Sequence, residues 1–142
     1  MFKFKLESVL KFRKIKEEEI IKEFQLKKKD IIECENKIEN IKKNIHDTKL
    51  KKNKEIKIND LILIDNYIKG LNNNLEQEEN KLLKLQYELK EVEERLFKAR
   101  KERKVLENLK EKKYMEYLKE ENLKEQKFLD EIASIAVNRK NN

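Results

Sequence analysis

No proline and a single glycine, Gly70, interrupt a chain of 142 residues. Proline removes a backbone donor and clashes with the preceding turn, and glycine is the other common helix breaker. Folds made of many short elements need frequent turns, and turns draw on these two residues. A chain this poor in breakers is therefore predicted to form few, long helices. The clearest stretch is residues 95–136, RLFKARKERKVLENLKEKKYMEYLKEENLKEQKFLDEIASIA, which contains neither breaker.

Charged residues make up 46% of the chain and apolar residues 37%, which suits a narrow seam between helices better than a thick core. Such charge also occurs in disordered chains, but here the apolar residues are regularly spaced. The net charge of +7 is carried mostly by lysine, mixed with acidic residues along most of the chain. That pattern marks solvated helix faces. Arginine, the better reader of phosphate, is scarce, so nucleic acid is not expected as a partner. No apolar run approaches a membrane span, so no direct membrane insertion is expected, and MFKFKLESVLKFRK does not read as a signal peptide. Cys34 is the one cysteine, which excludes an internal disulfide. A cytoplasmic location is expected.

A heptad register follows directly. With Ile31, Ile38 and Ile45 at a positions, Cys34 and Ile41 fall at d, and the frame extends back to Leu6, Leu10, Ile20 and Phe24. Arg13, Glu17 and Lys27 are polar exceptions in this seam. Arg13 and Glu17, one turn apart, either neutralise each other or leave this end open to a partner. Past Thr48 the seam fades, with Lys52, Glu55 and Asn59 at the next core positions. A second seam begins in another phase at Leu61, Ile64, Ile68, Leu71 and Leu75. It continues, after Glu78, through Leu82, Leu85, Leu89, Val92, Leu96 and Ala99.

The phase change predicts an all-α fold, a long two-helix antiparallel coiled-coil hairpin in one domain. Its helices are expected at about 3–53 and 61–137, its turn at 54–60 and a frayed tail at 138–142. Asn59 or Asp60 is the expected N-cap of the second helix. Gly70 with Asn72–Asn74 is the competing turn, disfavoured because the second seam passes through it in register. Antiparallel pairing with Lys52 opposite Leu61 places Phe4 near Leu109. The C-terminal helix then overhangs from Lys110 to about Val137. In that overhang Tyr114, Leu118, Phe128, Ile132 and Ile135 form an apolar stripe with no covering helix. It is expected to meet a partner or, in the isolated protein, to support weak self-association of a monomer.

No catalysis is expected. A two-helix hairpin offers no deep pocket, and one glycine excludes the phosphate-binding loops. His46 should face solvent without a second ligand nearby, and Cys34 at a d position reads as a small core residue. No cofactor, metal or catalytic residue is predicted.

Several stretches resemble the FliJ family of flagellar export proteins and together cover nearly the whole chain. The opening FKLESVLKFRKIKEEE matches its pattern at Phe4, Leu6, Val9, Leu10, Arg13 and Glu17. YIKGLNNNL is similar to a second family segment at Tyr67, Leu71 and Leu75. The C-terminal helix matches at Arg103, Leu106, Glu125, Gln126, Asp130 and Glu131. The resemblance implies a non-enzymatic hairpin similar to the central stalk of rotary ATPases. Such a protein would bind the flagellar export ATPase ring, promote its assembly and activity, touch the cytoplasmic domain of the export gate, and escort export chaperones. It would work peripherally at the inner face of the cell membrane. Tyr67 and Leu71 match the family's gate-facing positions, although the seam makes Leu71 a core residue. Phe4, Arg13, Lys101, Arg103 and Lys104 are the expected ATPase contacts, with Tyr114 and Leu118 in the overhang. The cluster KARKERK at 98–104 either meets an acidic pore lining or forms a solvated face. The stalk of a virulence-type secretion system and a purely structural, homo-oligomerising coiled coil are the alternatives.

Overall fold

In a computed structural model, which describes residues 1–54 and 56–141, the chain folds into two long helices. Helix α1 spans Glu7–Lys52 and helix α2 spans Ile58–Asn141. They pack against each other as an all-α antiparallel hairpin, the fold class expected from the two seams. Neither helix would hold its length on intrinsic propensity alone. The apolar stripe that each buries against the other supplies the tertiary term.

With α1 ending at Lys52, α2 begins one turn ahead of the expected Leu61. Asn59 and Asp60 consequently lie inside its first turn and do not cap it. The Lys57 carbonyl, 3.0 Å from the Leu61 N–H, accepts the first helical bond. Asp60 still acts favourably there, because a carboxylate at a helix N-terminus opposes the helix dipole. At the other side of the reversal, Lys49, Lys51 and Lys52 complement the C-terminal end of α1. Gly70 lies within α2 without a positive φ, so it makes no turn. Residues 138–141, expected as a frayed tail, continue the helix. Glu55, assigned to the turn and to a fading core position, and Asn142 lie outside the described residues.

By internal packing the chain divides into two compact units, Glu18–Phe97 and Met1–Glu17 with Lys98–Asn142. In the unit Glu18–Phe97 the core is built from Ile31, Cys34, Ile38 and Leu85, with Leu75, Leu82 and Leu89 packed against them. Ile20, Ile45, Leu71, Val92 and Leu96 are also buried. These are the residues that the heptad frames select. The acidic exception Glu78 is explained by its partner across the seam. The Cys34 thiol donates to the Glu78 carbonyl oxygen at 3.3 Å and to its Oε2 at 3.4 Å. Burial, reinforced by this carboxylate, pushes the Cys34 thiol pKa up, so the neutral form is favoured. The exception Lys27 is treated in the same way, its Nζ donating to Glu88 Oε2 at 2.6 Å. Arg95 with Glu23 and Lys52 with Asp65 complete the flanking ion pairs. Lys52 therefore reaches one turn beyond Leu61, the residue expected opposite it.

Candidate functional site

The unit formed by Met1–Glu17 and Lys98–Asn142 carries most of the residues with functional expectations. Its core holds Leu10, Ala99 and the carboxylate of Glu17, which is only 8% exposed. Glu17 accepts from Arg103 Nε through Oε2 and lies 3.4 Å from Arg100 Nε through Oε1. Arg103 also donates to Glu107 at 2.7 Å. Arg13 donates to Glu102 across the hairpin. The expectation that Arg13 and Glu17 neutralise each other, or leave this end open, is thus corrected. Each finds an opposite charge on α2 instead, because a side chain at a seam position points across to the facing helix.

The basic stretch 98–104 divides by residue type. Arg100 and Arg103 turn toward Glu17, where a planar guanidinium forms directional bonds to a carboxylate. Lys98, Lys101 and Lys104 are exposed and have no ion-pair partner among the described residues. A compact, strongly hydrated ammonium remains in water. Of the expected ATPase contacts, Arg13 and Arg103 are therefore occupied within the chain, whereas Lys101 and Lys104 present free positive charge outward.

The first residues form a feature that the heptad frame, starting at Leu6, did not reveal. Residues 1–4 are not helical, and exposure alternates along them, with Phe2 and Phe4 turned inward and Met1 and Lys3 outward. The Phe2 ring meets Tyr114 edge-on at 5.3 Å between centroids and Tyr117 at 5.6 Å. Such pairs add to the stabilisation from burial. The alternation of Phe2 and Phe4 with Lys3 and Lys5 was the available signal, and it denotes an extended segment with one covered side. Phe4 and Leu109, which the antiparallel pairing expected near each other, line one cavity of about 350 Å³. Lys110 pairs with Glu7 at 2.8 Å.

These contacts shorten the expected overhang. Helix α2 is covered through Tyr117, and uncovered helix begins at Leu118 instead of Lys110. Tyr114 is consequently part of an aromatic cluster, though still 44% exposed. From Leu118 to Asn141 every described residue is exposed, including Phe128, Leu129, Ile132 and Ile135. In the other unit Tyr67 is 55% exposed and Leu71 is buried, as their seam positions require. His46 is exposed.

Among the described residues, no group of three or more His, Cys, Asp or Glu side chains could hold a metal ion. No described helix is long and apolar enough to cross a membrane. The features present are a helical hairpin with an uncovered helical end, a lysine-lined face and an aromatic N-terminal segment. The family model described as "Flagellar FliJ protein" matches residues 2–142. The chain belongs to that family, which is one of flagellar export components. Searches of curated proteins and of solved structures returned no match.

Proposed function

We propose that this protein is a non-enzymatic, stalk-like component of flagellar protein export that engages the export ATPase ring through the end of α2 and promotes its assembly and ATP turnover. The observation that carries the reading is the uncovered helix Leu118–Asn141, which keeps its apolar residues exposed although the rest of its unit is paired. A single helix is narrow enough to enter a ring, and its bare apolar stripe offers a binding surface. Lys101 and Lys104 are the basic residues that meet an acidic ring lining. Arg13 and Arg103 act indirectly by holding the two helices in register. Phe4 and Tyr114 support the same end by anchoring the N-terminal segment. In the other unit, Tyr67 is the contact to the cytoplasmic domain of the membrane export gate, and Leu71 positions it from the seam. Escort of export chaperones belongs to the same reading, and so does a peripheral place at the inner face of the membrane.

Titration of the same organism's export ATPase with the full-length chain tests the proposal. Stimulated ATP turnover accompanied by ring formation is expected. A truncation after Lys119 leaves Tyr114, Tyr117 and the Glu7–Lys110 pair intact and should abolish stimulation without loss of hairpin helicity. A flat titration with the full-length protein, or equal stimulation by the truncated one, would remove the helix end from the mechanism.

A further inference from the structure

Helix α1 opens with a surface that the hairpin does not use. Residues 1–17 contain six basic side chains and two acidic ones, Glu7 and Glu17. Both carboxylates turn toward α2, where Glu7 meets Lys110 and Glu17 meets Arg103. Arg13 and Lys14 also reach across, to Glu102 and Glu107. The arc of α1 that faces away from buried Leu10 is therefore left with cations and no carboxylate. Its Lys11 and Lys16 are exposed and have no ion-pair partner among the described residues. Between them stand two large apolar side chains, Phe12 at 62% and Ile15 at 55% exposure. At about 100° per residue, Ile15 and Phe12 lie about 60° apart, with Lys11 about 40° beyond Ile15 and Lys16 about 40° beyond Phe12. Ser8 completes the arc one turn earlier, and Glu18 and Glu19 close it after Lys16.

An apolar crest bordered on both sides by lysine is the cross-section of a helix that rests in a membrane interface, with apolar side chains among the headgroups and basic stems reaching the phosphates. We propose that this arc of α1 adsorbs to an anionic phospholipid surface. Phe12 and Ile15 enter the headgroup layer, and Lys11 and Lys16 meet lipid phosphates. Two features favour lipid over a nucleic acid or an acidic protein. The free cations of the arc are lysines, whereas Arg13 is held by Glu102, so the arc offers point charges suited to a diffuse negative surface. Its apolar side chains also stand out from a convex surface, which a fluid interface accommodates without a matching groove. Lys3 and Lys5, exposed in the same unit and without ion-pair partners among the described residues, add to the attraction. The contact needs no membrane span, and no described helix could supply one. It goes beyond the export role proposed above, which leaves a peripheral place at the membrane to protein partners.

Flotation of the full-length chain with lipid vesicles reads the contact directly. Binding is expected to phosphatidylcholine vesicles containing about one-third phosphatidylglycerol, not to phosphatidylcholine alone, and it should weaken with added salt. Lys11→Glu with Lys16→Glu should lower the partition coefficient by about 30-fold or more. Phe12→Ser with Ile15→Ser should lower it by about 10-fold. All four side chains are exposed, so both variants should keep the helicity of the wild type by circular dichroism. Lys42→Glu with Lys43→Glu makes the same change in net charge at exposed positions farther along α1, and should bind within about 3-fold of the wild type. The chain has no tryptophan, so Phe12→Trp reports on this one position, and its emission should shift to the blue on anionic vesicles. A wild type that fails to float would overturn the proposal. So would a Lys42 and Lys43 variant that loses as much binding as the Lys11 and Lys16 variant, or a Phe12→Trp emission that stays unchanged while the chain floats. Loss of binding in the lysine variant with full binding by the serine variant would assign the arc to a polyanionic partner instead. The assay contains no ATPase, so its outcome is independent of the stimulation test.

Discussion

Replacing Glu17 with alanine should cost the hairpin about 2 kcal/mol. Removing one member of a buried ion pair ordinarily costs about 3–5 kcal/mol, because the remaining charge is left without compensation. Here the loss is smaller for two reasons visible around Arg103. Its side chain is 22% exposed, so water reaches it, and Glu107 still accepts from it at 2.7 Å. Arg100 is half exposed, and its longer contact with Glu17 adds little. The assay is urea denaturation followed by far-UV circular dichroism. The midpoint should fall with little change in slope, and thermal unfolding should move down by roughly 5–10 °C. The variant carrying both Glu17→Leu and Arg103→Leu should recover much of the loss, because neither charge remains to be desolvated. A Glu17→Ala loss below about 0.5 kcal/mol would refute the reasoning, since it would mean that the seam holds no dependent arginine at this position.

Gly70→Ala should stabilise the chain by about 0.5–1 kcal/mol in the same assay, since Gly70 is helical and a Cβ there meets nothing within 4 Å; a destabilised variant would mean that the helix is not continuous at this point. Cys34 should be protected from thiol reagents in the folded chain, with labelling that accelerates in urea as the seam opens. Because its pKa is raised by folding, unfolding stability should decline as pH climbs above the ordinary thiol value of about 8.5, and Cys34→Ala should remove that share of the decline. Glu7 and Glu88 behave in the opposite sense. Hydrogen bonds from Lys110 and Lys27 hold their pKa values down, so their contributions persist above the ordinary carboxylate range and are lost as pH falls below it. Acid titration of Glu88→Gln should accordingly show a shallower loss of stability than the wild type does.

Much of the fold was legible in the sequence for a simple reason. Two helices meeting along one seam leave few arrangements open, and heptad spacing states which residues enter that seam. Ile31, Cys34, Ile38, Leu85, Val92 and Ala99 are buried because their positions recur on one helical face. The same spacing kept Gly70 inside α2 despite its propensity. The start of α2 was less legible, because its first turn, Ile58–Asp60, lies ahead of the seam and buries little, so periodicity could not register it.

What the sequence determined by itself was therefore local and periodic: helix type, the two seams, their change of phase, and an apolar stripe near the C-terminus without a partner helix. Only the tertiary structure decided which charges met across the seam. Periodicity locates Arg13, Glu17 and Glu78 in it, but the choice among neighbouring partners depends on the relative placement of two helices and on side-chain reach. That choice turned Arg13 toward Glu102, Glu17 toward Arg103, and Cys34 toward Glu78. The tertiary structure also brought Phe2 onto Tyr114 and Tyr117, which moved the beginning of the bare helix to Leu118. Contacts between residues so distant along the chain carry no local period, so they exist only once both helices are in place.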